Sequence, residues 1–222
     1  MRYRPAIDRP PESRGFVDQA LAELRRSRWT PGAWAVFLRR CGARSAEQVR
    51  LRPLAVLEVS ALHLALLALR CSRLRLIASW TMAITHLGLL GPSRSIGPAN
   101  ALSLLRANLP AGRWSPLAAI GTDVADGWLA RRMTATAFGA YADGLADAAF
   151  WTRQVWAHQP SRALRAAAAA GWLLPLLGIA SAYFASGRTI DYPRPFLVRR
   201  LMAGLQCLLA ARALTGRLEE CR

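Results

Sequence analysis

The sequence contains no lysine, and all 30 of its basic residues are arginine, against 13 acidic residues and 3 histidines. Cysteine is scarce: four scattered residues with no Cys-x-x-Cys pair exclude a disulfide scaffold and give no support to a zinc site. Charged residues make up only 19% of the chain and hydrophobic residues 53%, which excludes intrinsic disorder. A lysine-free composition rich in arginine, alanine and leucine is typical of a bacterial genome of high GC content.

The excess of arginine gives a formal net charge of +17, which favours nucleic acid or an anionic membrane surface as a partner. No nucleic-acid-binding motif lies among the arginines, so no nucleic acid partner is expected. Long apolar runs decide for the membrane: residues 166–187 are 22 residues without a charge, enough to cross a hydrocarbon core of about 30 Å. The sequence therefore predicts an all-α, polytopic integral membrane helix bundle. A soluble all-α protein with buried helices is the alternative.

Three regions follow from the distribution of charge. Residues 1–52 form a basic segment, with 12 arginines against five acids, and should stay in the cytoplasm or on the membrane surface. Helical spacing within it predicts amphipathic helices on the membrane, or equally a small cytoplasmic helical hairpin. Residues 53–214 form the transmembrane domain, and residues 215–222 a short tail. Within the domain, helices are predicted at 53–70, 76–91, 99–111, 116–131, about 136–157, 163–187 and 196–214.

The predicted number of spans is six or seven. The helix 99–111 leaves the number open, because it reaches only about 20 Å at about 1.5 Å per residue.

Thr30 followed by Pro31 is typical of an N-cap and first helical residue. His63 and His86 lie in apolar helices without a partner ligand one turn away, which indicates hydrogen-bonded core histidines rather than metal ligands.

Acidic residues are few in the apolar part of the chain. Between Val59 and Leu218 there are five, of which four fall within 25 residues, namely Asp123, Asp126, Asp143 and Asp147. An ionised carboxylate in an apolar helix is costly and therefore usually functional. These four aspartates are the strongest functional signal in the sequence.

Helical spacing places the four aspartates on two surfaces that can meet. At about 100° per residue, Asp123 and Asp126 share one helix face, and Asp143 and Asp147 share a face of the next helix. Only residues 132–135 separate the two helices, so an antiparallel hairpin is expected. Four carboxylates repel one another at low dielectric constant unless a cation lies among them. Oxygen ligands suit Mg²⁺ or Mn²⁺, and two such divalent ions fit a phosphoryl-transfer site.

Together with neighbouring small residues, the aspartates form the pattern Asp123-x-x-Asp126-Gly127-x-x-Ala130-Arg131-x7-Gly139-x-x-x-Asp143-x-x-x-Asp147. This pattern resembles the signature of the CDP-alcohol phosphotransferases, integral membrane enzymes of phospholipid synthesis. Upstream, Asn100-x-x-Ser103-x-x-Arg106 is similar to that family's Asn-x-x-Thr/Ser-x-x-Arg element. The resemblance covers roughly residues 97–147.

The resemblance implies a site and a reaction. The four aspartates would bind two divalent metals, Mg²⁺ or Mn²⁺, and Asp147 would also serve as the general base. The reaction would be displacement of CMP from a CDP-alcohol by the hydroxyl of a second alcohol. Gly139 would let the nucleotide approach closely. The residues expected to bind the CDP-linked donor are Gly127, Ala130, Arg131, Thr136 and Gly139.

The expected partners are a CDP-linked lipid donor, for which a bacterial source favours CDP-diacylglycerol, a small or lipid alcohol acceptor, and membrane lipids. A homodimer is an open alternative to a monomer. The expected location is the bacterial cytoplasmic (inner) membrane, as a multi-pass protein. Two other classes compete: a membrane prenyltransferase-like enzyme, whose aspartate motifs lie far apart in sequence, and a non-enzymatic polytopic membrane protein, which would not need this spacing.

A second polar cluster lies between the last two apolar helices. Arg188 and Arg194 are candidates for holding a phosphate or other anionic group of the acceptor, because arginine forks match phosphate oxygens. Asp191 would orient a hydroxyl or pair with one of these arginines. The alternative is a positively charged cytoplasmic loop that binds lipid headgroups.

Overall fold

The computed structural model describes residues 12–69, 71–133, 135–190 and 196–215. These ranges are helical almost throughout and contain no β-strand, which confirms the all-α prediction. Asp191, Arg194 and residues 216–222 lie outside them. The α-helices of the described ranges are α1 (Glu12–Arg26), α2 (Pro31–Leu51), α3 (Pro53–Ala68), α4 (Arg73–Thr85), α5 (Gly97–Asn108), α6 (Ser115–Arg132), α7 (Ala137–His158), α8 (Arg162–Ala168), α9 (Leu174–Ser186) and α10 (Phe196–Leu214).

Most helix ends agree with the sequence prediction to within a few residues, and local chemistry accounts for them. Thr30 caps α2 by accepting a hydrogen bond from the backbone N–H of Ala33, and Pro31 is the first helical residue. The predicted helix 76–91 is different: α4 ends at Thr85, and a single 3₁₀ turn follows at Leu87–Leu90. With 13 residues, α4 is about 20 Å long, shorter than a bilayer core.

One described helical stretch is long and apolar enough to cross a bilayer by itself. Arg162–Ser186 has 25 residues and a mean hydropathy of 1.6, and only 11% of its apolar window is buried in the protein. The stretch consists of α8, a π-helical turn at Ala169–Leu173, and α9. Pro175 has no N–H to bond the carbonyl of Gly171, which accounts for the widened turn.

A second stretch qualifies only as a pair of helices. Pro31–Leu51 and Pro53–Ala68 pass the same test together but are bent by 95°, as a broken span or a re-entrant loop would be. In the described part of the chain, length and hydropathy therefore support one span or two, and the six or seven predicted spans are not confirmed. The aspartates and arginines within the shorter helices lower the hydropathy on which this test depends.

Large apolar side chains nevertheless cover the outside of several of these helices. Leu57 and Leu64 on α3, Leu74 and Ile77 on α4, and Leu177 on α9 are each between 62% and 78% exposed. An exposed apolar surface of this extent is typical of contact with lipid or with another protein.

The centre of the bundle is α5, which packs against both α6 and α7, while α6 and α7 contact each other little. Two apolar clusters flank this centre. One joins α3, α4, α5 and α7 around Val59, Leu104 and Phe138. The other joins α6, α7, the π-helical turn and α10 around Trp151 and Trp172, whose stacked rings lie 5.8 Å apart. The predicted helical hairpin is thus opened by a third helix.

The helices α3 and α4 hold α5 at both of its ends. At its start, the Glu58 carboxylate accepts hydrogen bonds from the backbone N–H of Ile96 and the Ser95 hydroxyl, both at 2.7 Å. At its end, the Asn108 amide donates to Ser79 Oγ at 2.8 Å, and Ser79 Oγ lies 2.6 Å from His63 Nε2. The expectation that His63 is a hydrogen-bonded core histidine is confirmed, since its Nδ1 lies 2.7 Å from the Val59 carbonyl.

The basic N-terminal segment packs on the bundle as a helical hairpin of α1 and α2. Asp18 on α1 accepts hydrogen bonds from both the backbone N–H and the hydroxyl of Thr189, and Arg25 donates to the Ser186 carbonyl at 3.1 Å. Ser13 also donates to the Gly88 carbonyl at 3.1 Å. These contacts place α1 at the end of the bundle where α4 and α9 finish.

Candidate metal and nucleotide site

The four aspartates lie on the α6 and α7 faces that border α5, in a deep pair and a shallow pair. The side chains of Asp126 and Asp147 are 10% exposed, whereas those of Asp123 and Asp143 are 42% and 43% exposed. Each helix thus contributes one carboxylate to the interior and one to the mouth of the site. A ligand that enters from the mouth meets Asp123 and Asp143 first.

Three of the four carboxylates form a compact group of oxygen ligands. One oxygen atom each from Asp123, Asp143 and Asp147 lie within 4.8 Å of one another. Asp126 is held apart from this group, because its Oδ2 accepts a hydrogen bond from Ser103 Oγ at 3.0 Å. Oxygen-only donors at this spacing are the ligands that Mg²⁺ and Mn²⁺ prefer.

Arg106 of α5 lies at the centre of the aspartates. Its side chain is fully buried, and its Nη1 lies 2.8 Å from Asp126 Oδ2 and 3.3 Å from Asp123 Oδ1. Its Nε lies 3.0 Å from Asp147 Oδ1, and its Nη2 donates to Asp143. A single guanidinium therefore contacts all four carboxylates, from the helix that separates α6 and α7.

The first turn of α7 adds a small polar cluster beside the aspartates. The Thr136 hydroxyl caps α7 by accepting a hydrogen bond from the Gly139 N–H at 3.1 Å, and the Asn100 amide lies 3.4 Å from the same oxygen. A Cβ at Gly139 would lie 2.5 Å from Asn100 Oδ1. The Asn100 side chain thus fills the space beside Gly139. The close approach of a nucleotide to Gly139 stays a prediction.

The end of α6 carries the remaining predicted donor-binding residues. Gly127 and Ala130 are half-buried, and Arg131 is exposed. A Cβ at Gly127 would lie 3.4 Å from Arg131 Nη1, so the glycine leaves room for that guanidinium beside the helix. Arg132 stacks on the Trp128 ring at 3.7 Å, a pairing that leaves Arg131 as the arginine next to the site.

Of the candidate acceptor residues, the described ranges include only Arg188. It is exposed, directly after the glycine that ends α9. Its neighbour Thr189 is bound to Asp18 of α1, so this segment packs against the N-terminal hairpin. Asp191 and Arg194 lie outside the described residues.

Comparison with known proteins finds a family similarity over less than half of the chain. Residues 95–190 match the family model of CDP-alcohol phosphatidyltransferase. This part of the chain is similar to a CDP-alcohol phosphatidyltransferase domain. No curated protein and no solved structure was found that matches the chain.

The family match indicates which reaction class and which cofactor suit this site. CDP-alcohol phosphatidyltransferases are transferases of substituted phosphate groups, generally depend on divalent metal, and are typically integral membrane proteins. The oxygen group of Asp123, Asp143 and Asp147 fits such an ion in both atom type and spacing. The match begins at residue 95, so α1 to α4 lie before it.

Sequence reasoning did not place Asn100, Ser103 and Arg106 in the aspartate site. It recognised them as a family element but had no contact that joined them to the aspartates. A usable signal was present: the three residues are three apart and so share a face of α5, and Arg106 is the only charged residue between residues 95 and 112. A lone arginine on the polar face of an apolar helix indicates an acidic partner.

Proposed function

We propose that this protein transfers a phosphatidyl group from CDP-diacylglycerol to an acceptor alcohol and releases CMP, at the cytoplasmic face of a bacterial inner membrane. The convergence of the Asp123, Asp143 and Asp147 oxygens in a domain of this family is the observation that carries the proposal. The wide apolar surface of α3, α4 and α9 supports the membrane location, because it suits contact with lipid.

Two divalent ions, Mg²⁺ or Mn²⁺, would be held by the four aspartates and would neutralise the pyrophosphate of the donor and the phosphate that leaves with CMP. The deeper carboxylates, Asp126 and Asp147, lie on opposite helices and fix the floor of the site. The shallower ones, Asp123 and Asp143, lie where the pyrophosphate would enter.

Asp147 is proposed as the general base. The oxygen of the acceptor hydroxyl forms a bond to the phosphorus of the phosphatidyl group, and the bond from that phosphorus to the oxygen of the CMP phosphate breaks. The hydroxyl proton passes to the Asp147 carboxylate, and CMP leaves with the electron pair of the broken bond. A hydroxyl is a poor nucleophile until a positioned base accepts its proton, which such a base accelerates by about 10²–10⁴-fold.

The donor would be positioned from the turn side of the site. Arg131 is exposed next to the gap beside Gly127 and would contact phosphate oxygens. The Thr136 hydroxyl accepts hydrogen bonds from Gly139 and Asn100, and its own hydrogen is used in neither, so it can be donated to the nucleotide. Arg188 and Arg194 are proposed to hold an anionic group of the acceptor, and Asp191 to orient its hydroxyl or pair with one of these arginines.

The test is release of CMP by the purified full chain with a panel of CDP-alcohols and acceptor alcohols. We expect release with CDP-diacylglycerol, a requirement for Mg²⁺ or Mn²⁺, and complete loss with chelator. Asp123→Asn and Asp143→Asn should each lower the rate by several orders of magnitude, and Glu47→Gln, an exposed acid outside the site, serves as the control. Release of CMP from no donor, or of pyrophosphate from a prenyl diphosphate instead, would overturn the proposal.

A further inference from the structure

The Arg106 guanidinium occupies the position at which a divalent ion would be bound by the aspartates. It contacts Asp123 Oδ1 at 3.3 Å, Asp147 Oδ1 at 3.0 Å, and also Asp143. These are the three residues whose oxygens form the compact ligand group. An ion that binds carboxylate oxygen at about 2.0–2.1 Å needs the same lone pairs and the same space.

We propose that Arg106 is a built-in counterion of the metal-free site, and that divalent ions load by displacing it from the aspartates. This inference rests on the proposed function, because it takes the metal site of that reaction as given. The arginine is built into the site: its side chain is fully buried, and Ser103, one turn earlier on the same helix, holds Asp126 beside it.

Charge explains why such a counterion is useful and why it competes. With Arg106 in place, three of the four negative charges in the site remain uncompensated. Without it, all four carboxylates would repel one another at low dielectric constant. The same attraction must be broken when a metal enters, so the arginine stabilises the empty protein and weakens the binding of the ion.

The exchange predicts two effects of opposite sign for Arg106→Gln. The metal-free protein should melt at a lower temperature, because the repulsion between the carboxylates is no longer offset. Mn²⁺ should bind at least about tenfold more tightly, because a unit charge a few ångströms away no longer competes with the ion. An arginine that only organises the carboxylates predicts the reverse for Mn²⁺, because its loss would let the ligands move apart.

The experiment is an Mn²⁺ titration of the purified full chain, with free Mn²⁺ measured by electron paramagnetic resonance, together with thermal unfolding in the presence and absence of Mn²⁺. The matched control is Arg153→Gln. Arg153 is a half-buried arginine of the bundle that donates to the backbone carbonyls of Ala107 and Leu109. Arg153→Gln should lower the melting temperature and change Mn²⁺ affinity by less than about twofold.

Arg106→Lys tests the proposal without removing the charge, and it also serves if the glutamine variant does not fold. An ammonium group cannot span four carboxylates, so Mn²⁺ should bind this variant more tightly than the wild type but less tightly than Arg106→Gln. Unchanged or weaker Mn²⁺ binding by both variants would overturn the exchange.

The outcome for the wild type separates this inference from the proposed function. A wild type that binds Mn²⁺ and releases no CMP from any donor refutes the proposed function alone. A wild type that releases CMP, with variants of Arg106 that bind Mn²⁺ more weakly, refutes the exchange alone.

Discussion

At the scale of single residues, Asp143 and Asp147 lie one turn apart on α7 but differ in depth. The Asp147 side chain is 10% exposed and that of Asp143 is 43% exposed. A buried carboxylate is better protected from water and suits a base that must take its proton from the acceptor hydroxyl. We expect Asp147→Asn to abolish CMP release while leaving CDP binding largely intact.

The matched variant is Asp143→Asn, which should weaken both CMP release and binding of CDP in the presence of Mn²⁺. Calorimetry with CDP, alongside the rate of CMP release, distinguishes the two roles. Parallel loss of binding and rate in Asp147→Asn would make Asp147 a metal ligand without a role as the base.

Gly139 offers a second test at this scale, because a Cβ there would lie 2.5 Å from Asn100 Oδ1. Gly139→Ala should therefore lower the melting temperature and the rate of CMP release by displacing Asn100. Adding Asn100→Ala should restore part of the lost stability by removing the colliding atom. Gly121→Ala, on α6 with no neighbouring atom in the way, is the control. If the second substitution brings no recovery, Gly139 is needed for a reason other than Asn100.

The aspartates could be found from sequence because acids are rare in this chain and fall at helical spacing. Arg106 could not be joined to them, since its contacts reach 20 residues to Asp126 and 37 to Asp143, and such contacts depend on how α5 packs. For the same reason the contact between Asn100 and Gly139 could not be predicted from sequence.

At the scale of helices, Glu58 is the one acid within the apolar run of residues 53–69. It lies before the family match and caps α5, whose first residues begin that match. Glu58→Gln should cost about 1 kcal/mol of stability, because the amide offers one acceptor oxygen to two donors, and Glu58→Ala should cost more. Thermal unfolding measures this difference.

The control is Glu47→Gln, which removes an exposed ion pair with Arg44 and should cost less than Glu58→Gln. Equal effects of the two substitutions would show that Glu58 does not hold α5.

Helix positions were largely predictable from apolar periodicity and caps such as Thr30. The break at His86 was not, because the residues from Leu76 to Gly91 are uniformly uncharged and a single internal glycine, Gly88, is tolerated in a helix.

At the scale of the whole molecule, α1 and the segment after α9 lie on the same side of the bundle, because Asp18 binds Thr189. The basic N-terminal segment should be cytoplasmic. The turn between α6 and α7 should face the same side, because Ser13 binds Gly88 shortly before α5, and Asn100 near the start of α5 contacts Thr136 next to that turn. We expect a cysteine at Ala135 to react with an impermeant reagent only after permeabilisation of the cells. A cysteine at Arg162, beyond the far end of α7, should react in intact cells.

The background for this labelling is a chain in which Cys41, Cys71, Cys207 and Cys221 are replaced by serine. Ready modification of a cysteine at Ala135 in intact cells would contradict the orientation.

The number of spans was the least predictable feature of the molecule. Helices such as α4 and α5 are too short to cross a bilayer alone, and only their packing decides their depth.

The bond from Asp18 to Thr189 joins residues 171 positions apart. At about 5–20 residues per second, the ribosome completes α1 roughly 10–30 s before it has made the partner of α1. During that interval the N-terminal hairpin can pack only on earlier parts of the bundle such as Gly88, and its arginines can be neutralised by anionic headgroups. Although α1 is made early, its contact with the segment after α9 is thus among the last to form.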